Sequence, residues 1–298
     1  MISIGIPTYN QADTLGATIE SFLHQSIAPL EIVVSENWCT DHTQEVLKKF
    51  EGKIKVVRPE RHLSMMENWN FLVSHLQGDW FSLMSSDDLA LPNFVEDILA
   101  GINEHADAVL IRGPHETIDA EGAVISIRGS QFAARKRAFP SNFYEQIRGT
   151  KTSFAAFSVK KSSFTSVGGF DERFIYAGDY ALWLKLSPLG PFVTLPKRIS
   201  QYRSDYRPGI TTARMRAFIA DMARLRLEVI PSIRNNFATK CMNAATTSKS
   251  LKWILNNSDE KENEFKEVIA QLKKIEGNLV ERLIGDLLNK LYRIRTMK

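Results

Sequence analysis

The sequence predicts an α/β protein with a mostly parallel, doubly wound sheet, and three observations carry that prediction. Over the first 111 residues, short apolar runs with strand-like patterning alternate with segments whose apolar residues recur at helical spacing. Asn10, Glu36, Asn37, Asp87 and Asp88 fall where those runs end, the edge at which such sheets bind ligands. At 298 residues, 44% hydrophobic and 24% charged, the chain is long enough for one large domain, or one domain and an appendage.

Ile2-Ser3-Ile4-Gly5-Ile6 alternates as a strand, and Pro7-Thr8-Tyr9-Asn10 is expected to break it into a loop. A helix follows with Leu15, Ile19, Phe22 and Leu23 on one face, behind Asp13 as N-cap. Glu31 to Ser35 is the second strand, and Thr40-Asp41-His42-Thr43-Gln44 opens a helix carrying Val46, Leu47 and Phe50. Ile54 to Val57 is the third strand. Ser64-Met65-Met66-Glu67 has the spacing of a capping box ahead of Trp69, Leu72, Val73 and Leu76. Residues 79 to 88 form a buried fourth strand that ends in Ser85-Ser86-Asp87-Asp88. Pro92 starts a helix bearing Phe94, Val95, Ile98, Leu99 and Ile102, and Ala108 to Ile111 is a fifth strand.

From Thr117 the pattern changes. Asp119-Ala120-Glu121-Gly122 is a turn between short strands, and residues 128 to 151 are irregular and basic, which suits a lid, an acceptor-binding loop or a solvated excursion. Phe154 to Val159 is a strand, Lys161 to Val167 a short helix, and Gly168-Gly169-Phe170-Asp171-Glu172 a tight turn. Asp179 then stands at the start of a helix through Tyr180, Leu182, Trp183, Leu184 and Leu186. After Arg207-Pro208-Gly209 the chain reads as helical to its end. The last helix carries Leu279, Val280, Leu283, Ile284, Leu287 and Leu288 on an apolar face. We therefore expect a first domain over 1–210 and a helical extension over 211–298.

Charge divides along the same boundary. Residues 211–298 hold 17 Lys and Arg against 10 Asp and Glu, whereas residues 1–210 hold 21 against 24. A basic tail on a slightly acidic body points to a polyanionic partner such as an anionic membrane surface, while the apolar stripe suits packing on the body or self-association. Cys39 and Cys241 are too few for a disulfide framework or zinc cluster. An apolar strand from Ile2 leaves no room for a secretion signal, so a cytoplasmic protein is expected.

Asp87 and Asp88 are the chemical focus. Neighbouring carboxylates repel at close range, so a pair at a strand end calls for a cation, sugar hydroxyls or both. The bland alternative is that they cap the helix that Pro92 starts.

Four segments together carry a resemblance: Ile4-Gly5-Ile6-Pro7-Thr8-Tyr9-Asn10, Glu31 through Asp41, Ser85-Ser86-Asp87-Asp88, and Gly168-Gly169-Phe170-Asp171-Glu172. In order and spacing they resemble the family 2 glycosyltransferases with the GT-A fold, over about the first 205 residues. The resemblance implies an inverting transfer of a sugar from a nucleoside diphosphate donor, UDP- or dTDP-linked, to an acceptor hydroxyl. Mg2+ or Mn2+ would assist it. It further implies synthesis of a surface polysaccharide (O-antigen, capsule) on a saccharide or lipid-linked acceptor at the cytoplasmic membrane face, with no nucleic acid involved.

On this resemblance Pro7, Thr8, Tyr9 and Asn10 hold the nucleoside, Glu36 accepts from the base, and Asn37, Ser86, Asp87 and Arg203 complete the donor site. Asp87, Asp88 and Asp205 bind the metal, and Asp179 is the base that takes the acceptor proton. Three positions depart from the family pattern: Ser85 replaces the first aspartate of D-x-D, Gly178 replaces the glutamate paired with Asp179, and Asp205 stands where a histidine is usual. They motivate the alternative of a catalytically silent GT-A scaffold or binding protein. A sugar-1-phosphate nucleotidyltransferase would call for a Gly-rich first loop with Arg and Lys, which Pro7-Thr8-Tyr9-Asn10 is not.

Overall fold

A computed structural model describes residues 1–129, 134–149, 152–204, 212–257 and 281–287, together with 270, 273, 275 and 277. Side chains of 212–216 and 250–257 lie outside that description, as does Asp205. The first half alternates as expected except at β5, an added short strand after a fourth strand that stops at Leu83 and not at residue 88: β1 (Ile2–Thr8), α1 (Ala12–Leu23), β2 (Glu31–Glu36), α2 (Thr43–Lys48), β3 (Lys55–Val57), α3 (Met65–Ser74), β4 (Trp80–Leu83), β5 (Leu89–Ala90), α4 (Phe94–Glu104) and β6 (Leu110–Arg112). The second half adds β7 (His115–Ile118), β8 (Val124–Arg128), β9 (Arg135–Arg137), α5 (Ser141–Ile147), β10 (Phe157–Lys160), α6 (Lys161–Ser166), α7 (Gly178–Leu186), β11 (Phe192–Thr194) and β12 (Ser200–Arg203). Then come α8 (Thr212–Arg224), a π-helical turn (Leu225–Val229), α9 (Ile230–Ile233) and α10 (Phe237–Asn257).

The main sheet runs β3-β2-β1-β4-β10-β6-β11-β9, and β10 and β9 are its antiparallel members. Ile4, Ile6, Val33, Val34, Phe81 and Leu83 are at most 1% exposed, so the central strands are buried on both faces, as helices on either side require. β1 continues two residues beyond the expected break. Pro7 is tolerated because β4 pairs only as far as Gly5↔Leu83, leaving no ladder on that side of the proline. A smaller sheet, β5-β12-β7-β8, lies across the chain's middle and includes the expected 119–122 turn.

Some local expectations are corrected. Asp13 lies in the first turn of α1, and the N-cap position is Gln11; Asp41 instead caps this helix from a distance by accepting from the Ala12 amide at 3.0 Å. The basic 128–151 stretch contains β9 and α5, whose Phe143 and Ile147 are fully buried. Two of its arginines are drawn inward: Arg135 and Arg137 join Arg112 of β6 about the Glu145 carboxylate, at 3.5, 3.6 and 2.5 Å. The capping box of α3 is present, with Ser64 and Glu67 each accepting from the other's amide.

Leu225, Val229, Ile230 and Met242 from beyond residue 210 share an apolar cluster with Phe143, Ile147, Phe174, Tyr180 and Leu184. Residues 281–287 are helical, and a Cβ on Gly285 would lie 2.0 Å from the Cys241 carbonyl oxygen, so this helix rests on α10 at a glycine. Its Leu283 and Leu287 are 60% and 56% exposed. Among the described residues no helix is long and apolar enough to cross a membrane.

Candidate active site

The carboxyl ends of β1, β2 and β4 open into a cleft of about 500 Å3 lined by Pro7, Thr8, Tyr9, Asn10 and Gln11, by Asn37, by residues 62–65, by Asn68 and Trp69, and by Ser85. Backbone conformation is unusual at this edge. Asn10 (φ 53°) and Trp38 (φ 62°) occupy the left-handed region just after β1 and β2. Asparagine adopts it readily, whereas a tryptophan there needs surrounding contacts to hold it. Trp38 has them: its indole donates to the Pro59 carbonyl at 2.9 Å, and the Arg58 guanidinium lies 4.3 Å over its ring. Asn10 Oδ1 accepts from the Thr40 amide at 2.7 Å, tying the two loops together.

Asn37 braces the opposite wall. Its amide donates to the Leu63 carbonyl and accepts from the Leu63 amide, both at 2.9 Å, and the His62 ring packs 4.5 Å from Tyr9. Tyr9 is half exposed at the cleft, while Thr8 Oγ1 is buried and has no hydrogen-bond partner among the described residues. Glu36 does not line this cleft. Its carboxylate accepts from the Cys39 amide at 2.5 Å and pairs with Arg58 Nε at 3.1 Å.

Asp87 and Asp88 are 6% and 2% exposed and lie in the turn after β4. Capping of α4 is not their role, because β5 intervenes and Asn93 occupies the N-cap position. Asp88 Oδ1 accepts from the Arg203 amide at 2.9 Å, and Asp87 Oδ2 from the Gln11 amide at 3.3 Å. Gln11 also accepts from Ser86 Oγ. The Arg203 side chain donates to the carbonyls of Asp87, Asp119 and Ala120, so it fastens the Asp87-Asp88 turn to the small sheet. Two adjacent buried carboxylates are hard oxygen donors of the kind Mg2+ or Mn2+ prefers. Among the described residues they gather no third His, Cys, Asp or Glu; Asp205 lies outside those residues, and oxygens of a diphosphate and water are the other donors that would fill a shell.

Asp179 is the second residue of α7, not its N-cap, which is Ala177. Burial pushes its carboxyl up to about 6, against a smaller opposing effect of the Tyr180 amide, which donates to Oδ1 at 2.6 Å. Gly178 has a steric reason: a Cβ there would lie 2.1 Å from Met66 Sδ. The start of α7 thus abuts the first turn of α3, whose Met65 and Trp69 line the cleft.

Sequence reasoning missed α3 as a site element. Asn68 accepts from Ser35 Oγ at 2.6 Å, joining it to β2, while Asn70 clamps Phe170 by accepting from its amide and donating to its carbonyl, both at 2.9 Å. Two asparagines on an otherwise amphipathic helix were the available clue. Gln11, directly after the Pro7–Asn10 segment, and His62 were also missed.

The family model described as glycosyl transferase family 2 matches residues 3–161. An uncharacterized glycosyltransferase of Haemophilus influenzae is 25% identical over 216 residues, covering 68% of this chain and 65% of that protein. A Pasteurella multocida chondroitin synthase is 27% identical over 201 residues, 66% of this chain but 20% of that protein. The chain therefore spans less than two thirds of the length of these relatives. S. aureus TarS 1–349, solved in complex with UDP-GlcNAc, superposes with a TM-score of 0.73 at 17% identity, over 93% of this chain and 81% of that one, and shares the GT-A architecture. Because the matched region spans more than half of the chain and contains the ends of β1, β2 and β4 that build the cleft, this protein belongs to glycosyltransferase family 2.

Proposed function

We propose that the chain moves a sugar from a UDP- or dTDP-linked donor to a hydroxyl of a saccharide or lipid-linked saccharide, with inversion, in cell-surface polysaccharide synthesis. Asp179 is the observation that carries this reading. A carboxyl pushed up to about 6 is ionised at neutral pH yet basic enough to accept a proton, and it stands on a helix that abuts the wall of the cleft. As the acceptor hydroxyl attacks the anomeric carbon opposite the leaving diphosphate, Asp179 takes the hydroxyl proton.

In this reading Pro7, Thr8, Tyr9 and Asn10 hold the nucleoside, and the unpartnered Thr8 hydroxyl receives its missing hydrogen bond from the donor. Glu36 works through Arg58 and Trp38 at the base, Asn37 keeps the facing loop closed, and Ser86, Asp87 and Arg203 bound the ribose and diphosphate. Asp87 and Asp88, with Asp205, would hold Mg2+ or Mn2+. The chemistry such a cation would supply there is neutralisation of charge on the leaving diphosphate. The TarS complex supports a nucleotide-sugar donor, and the relation to a chondroitin synthase supports a polysaccharide product.

Residues 1–210 are then the catalytic domain and 211–298 a basic helical extension. The extension associates peripherally with an anionic cytoplasmic membrane face or with a second copy. Deleting 277–298 should weaken sedimentation with anionic vesicles more than nucleotide binding; equal loss of both would make that segment part of the core.

The test is nucleotide release from a panel of sugar nucleotides with Mn2+. Turnover of at least one donor, lost in Asp179→Asn, is expected. Absence of turnover with every donor sinks the proposal, and UDP binding without turnover would favour the silent scaffold.

A further inference from the structure

We infer that Asp221 is a positioning residue for Asp179, so that a side chain of the helical extension sets the geometry of the proposed base; this rests on the reading of Asp179 given above. Asp221 lies on α8 and is 1% exposed. Its Oδ2 accepts from three successive amides, those of Ile175 (2.9 Å), Tyr176 (2.6 Å) and Ala177 (3.0 Å). A helix start leaves its amides without intrahelical partners, and Ala177, at the N-cap position of α7, has no side chain to offer one. Asp221 takes the Ala177 amide together with the two amides of the turn before it, from 44 to 46 residues downstream. Hydrogen bonds to a carboxylate are the strong kind, and a buried carboxylate without such donors would be costly, so turn and side chain stabilise each other.

The neighbouring chain is tied to α8 in the same way. Arg224 donates to the Arg173 carbonyl at 2.5 Å, and Arg173 pairs with both Asp171 and Glu228. The turn between Phe170 and α7 is therefore held by Asn70 at one end and by Asp221 at the other. Asp179 follows two residues after the last amide that Asp221 holds. Ile175 and Tyr176, whose amides Asp221 holds, keep exposed side chains (54% and 39%) just ahead of Asp179 in sequence.

The experiment compares Asp221→Ala, Asp221→Asn and Asp179→Asn with the parent chain. It measures UDP binding by calorimetry, steady-state nucleotide release from a donor that turns over, and hydrogen exchange at residues 175–177. In Asp221→Ala, exchange at the three amides should speed up and kcat should fall, each by about tenfold or more, while UDP Kd and donor KM stay within about twofold. Asp221→Asn keeps one carbonyl oxygen facing the amides but no charge. It should show the same pattern more weakly, and it serves if the alanine variant does not fold. Unchanged kcat, unchanged exchange, or parallel loss of kcat and UDP affinity overturns the inference. Wild-type turnover by Asp179→Asn would instead remove the reading of the base, and this inference with it. That result is recognisable because Asp221 is intact in that variant.

Discussion

The proposed donor side and the proposed acceptor side of the cleft are built by different means. On the donor side most wall residues stand at or just after strand ends, with Asn68 and Trp69 added from α3, and its clamps join neighbouring loops: Asn10 to Thr40, Asn37 to Leu63, Gln11 to Asp87. On the acceptor side Asp179 sits on a helix held by partners distant in sequence: Met66 against Gly178, Asn70 on Phe170, Asp221 on the Ile175–Ala177 turn. Under the proposed function, donor chemistry is thus a property of where parallel strands stop, and acceptor chemistry a property of how helices pack.

The largest test of that division is Asp179→Asn. We expect kcat to fall by about 100- to 10,000-fold with UDP affinity unchanged, which calorimetry alongside turnover would show. Loss of UDP affinity would break the comparison by making Asp179 part of the donor side. The pH profile comes next. Below about 6 the rate should fall about tenfold per pH unit as Asp179 takes up a proton, and above it the rate should level. Linkage runs the other way for stability. Between the ordinary value of 3.8 and about 6 the folded chain holds a proton that the unfolded chain has released, so Asp179 makes stability fall as pH rises through that window. By about pH 8, thermal melts should show Asp179→Asn more stable than the parent by about 1 to 3 kcal/mol.

Smaller effects sharpen the two sides separately. Asn37→Ala removes both bonds to Leu63, so UDP binding should weaken by roughly three- to tenfold while the pH midpoint of turnover stays put. A moved midpoint would mean that the donor wall reaches the base. Gly178→Ala should lower stability by about 1 to 2 kcal/mol through overpacking on Met66, and the same step should cost nothing in a Met66→Ala background. Additive effects in that double-mutant cycle would separate α7 from α3.

The contrast also explains what could be read in advance. The alternation of β1 to β6 with their helices was legible because it depends on local periodicity, and the capping box of α3 because its spacing is local. Asp87-Asp88 and Asp179 were legible as motif residues at element ends. The ties at the starts of α1 and α7 were not, because Asp41 and Asp221 supply them from elsewhere in the chain and nothing near Gln11 or Ala177 announces it. Of the three readings of the 128–151 stretch, the solvated excursion fails over β9 and α5 for a related reason: Glu145 gathers Arg135 and Arg137 of that stretch with Arg112 of β6. Gly178 looked like a missing acid until Met66 was found in the space a side chain would need.

The helix α3 touches both sides at once, through Asn68 to β2 and through Met66 and Asn70 to the acceptor turn. A helix of ten residues is about 15 Å long and stiff along its axis. Under the proposed function it would therefore work as a gauge block: the spacing between the leaving group and the proton acceptor is referred to one solid part instead of accumulating error through several loops. A sequence change within this helix would reset donor and acceptor geometry together. Changes in specificity would come more readily from the loops at either end, which can vary without disturbing that spacing.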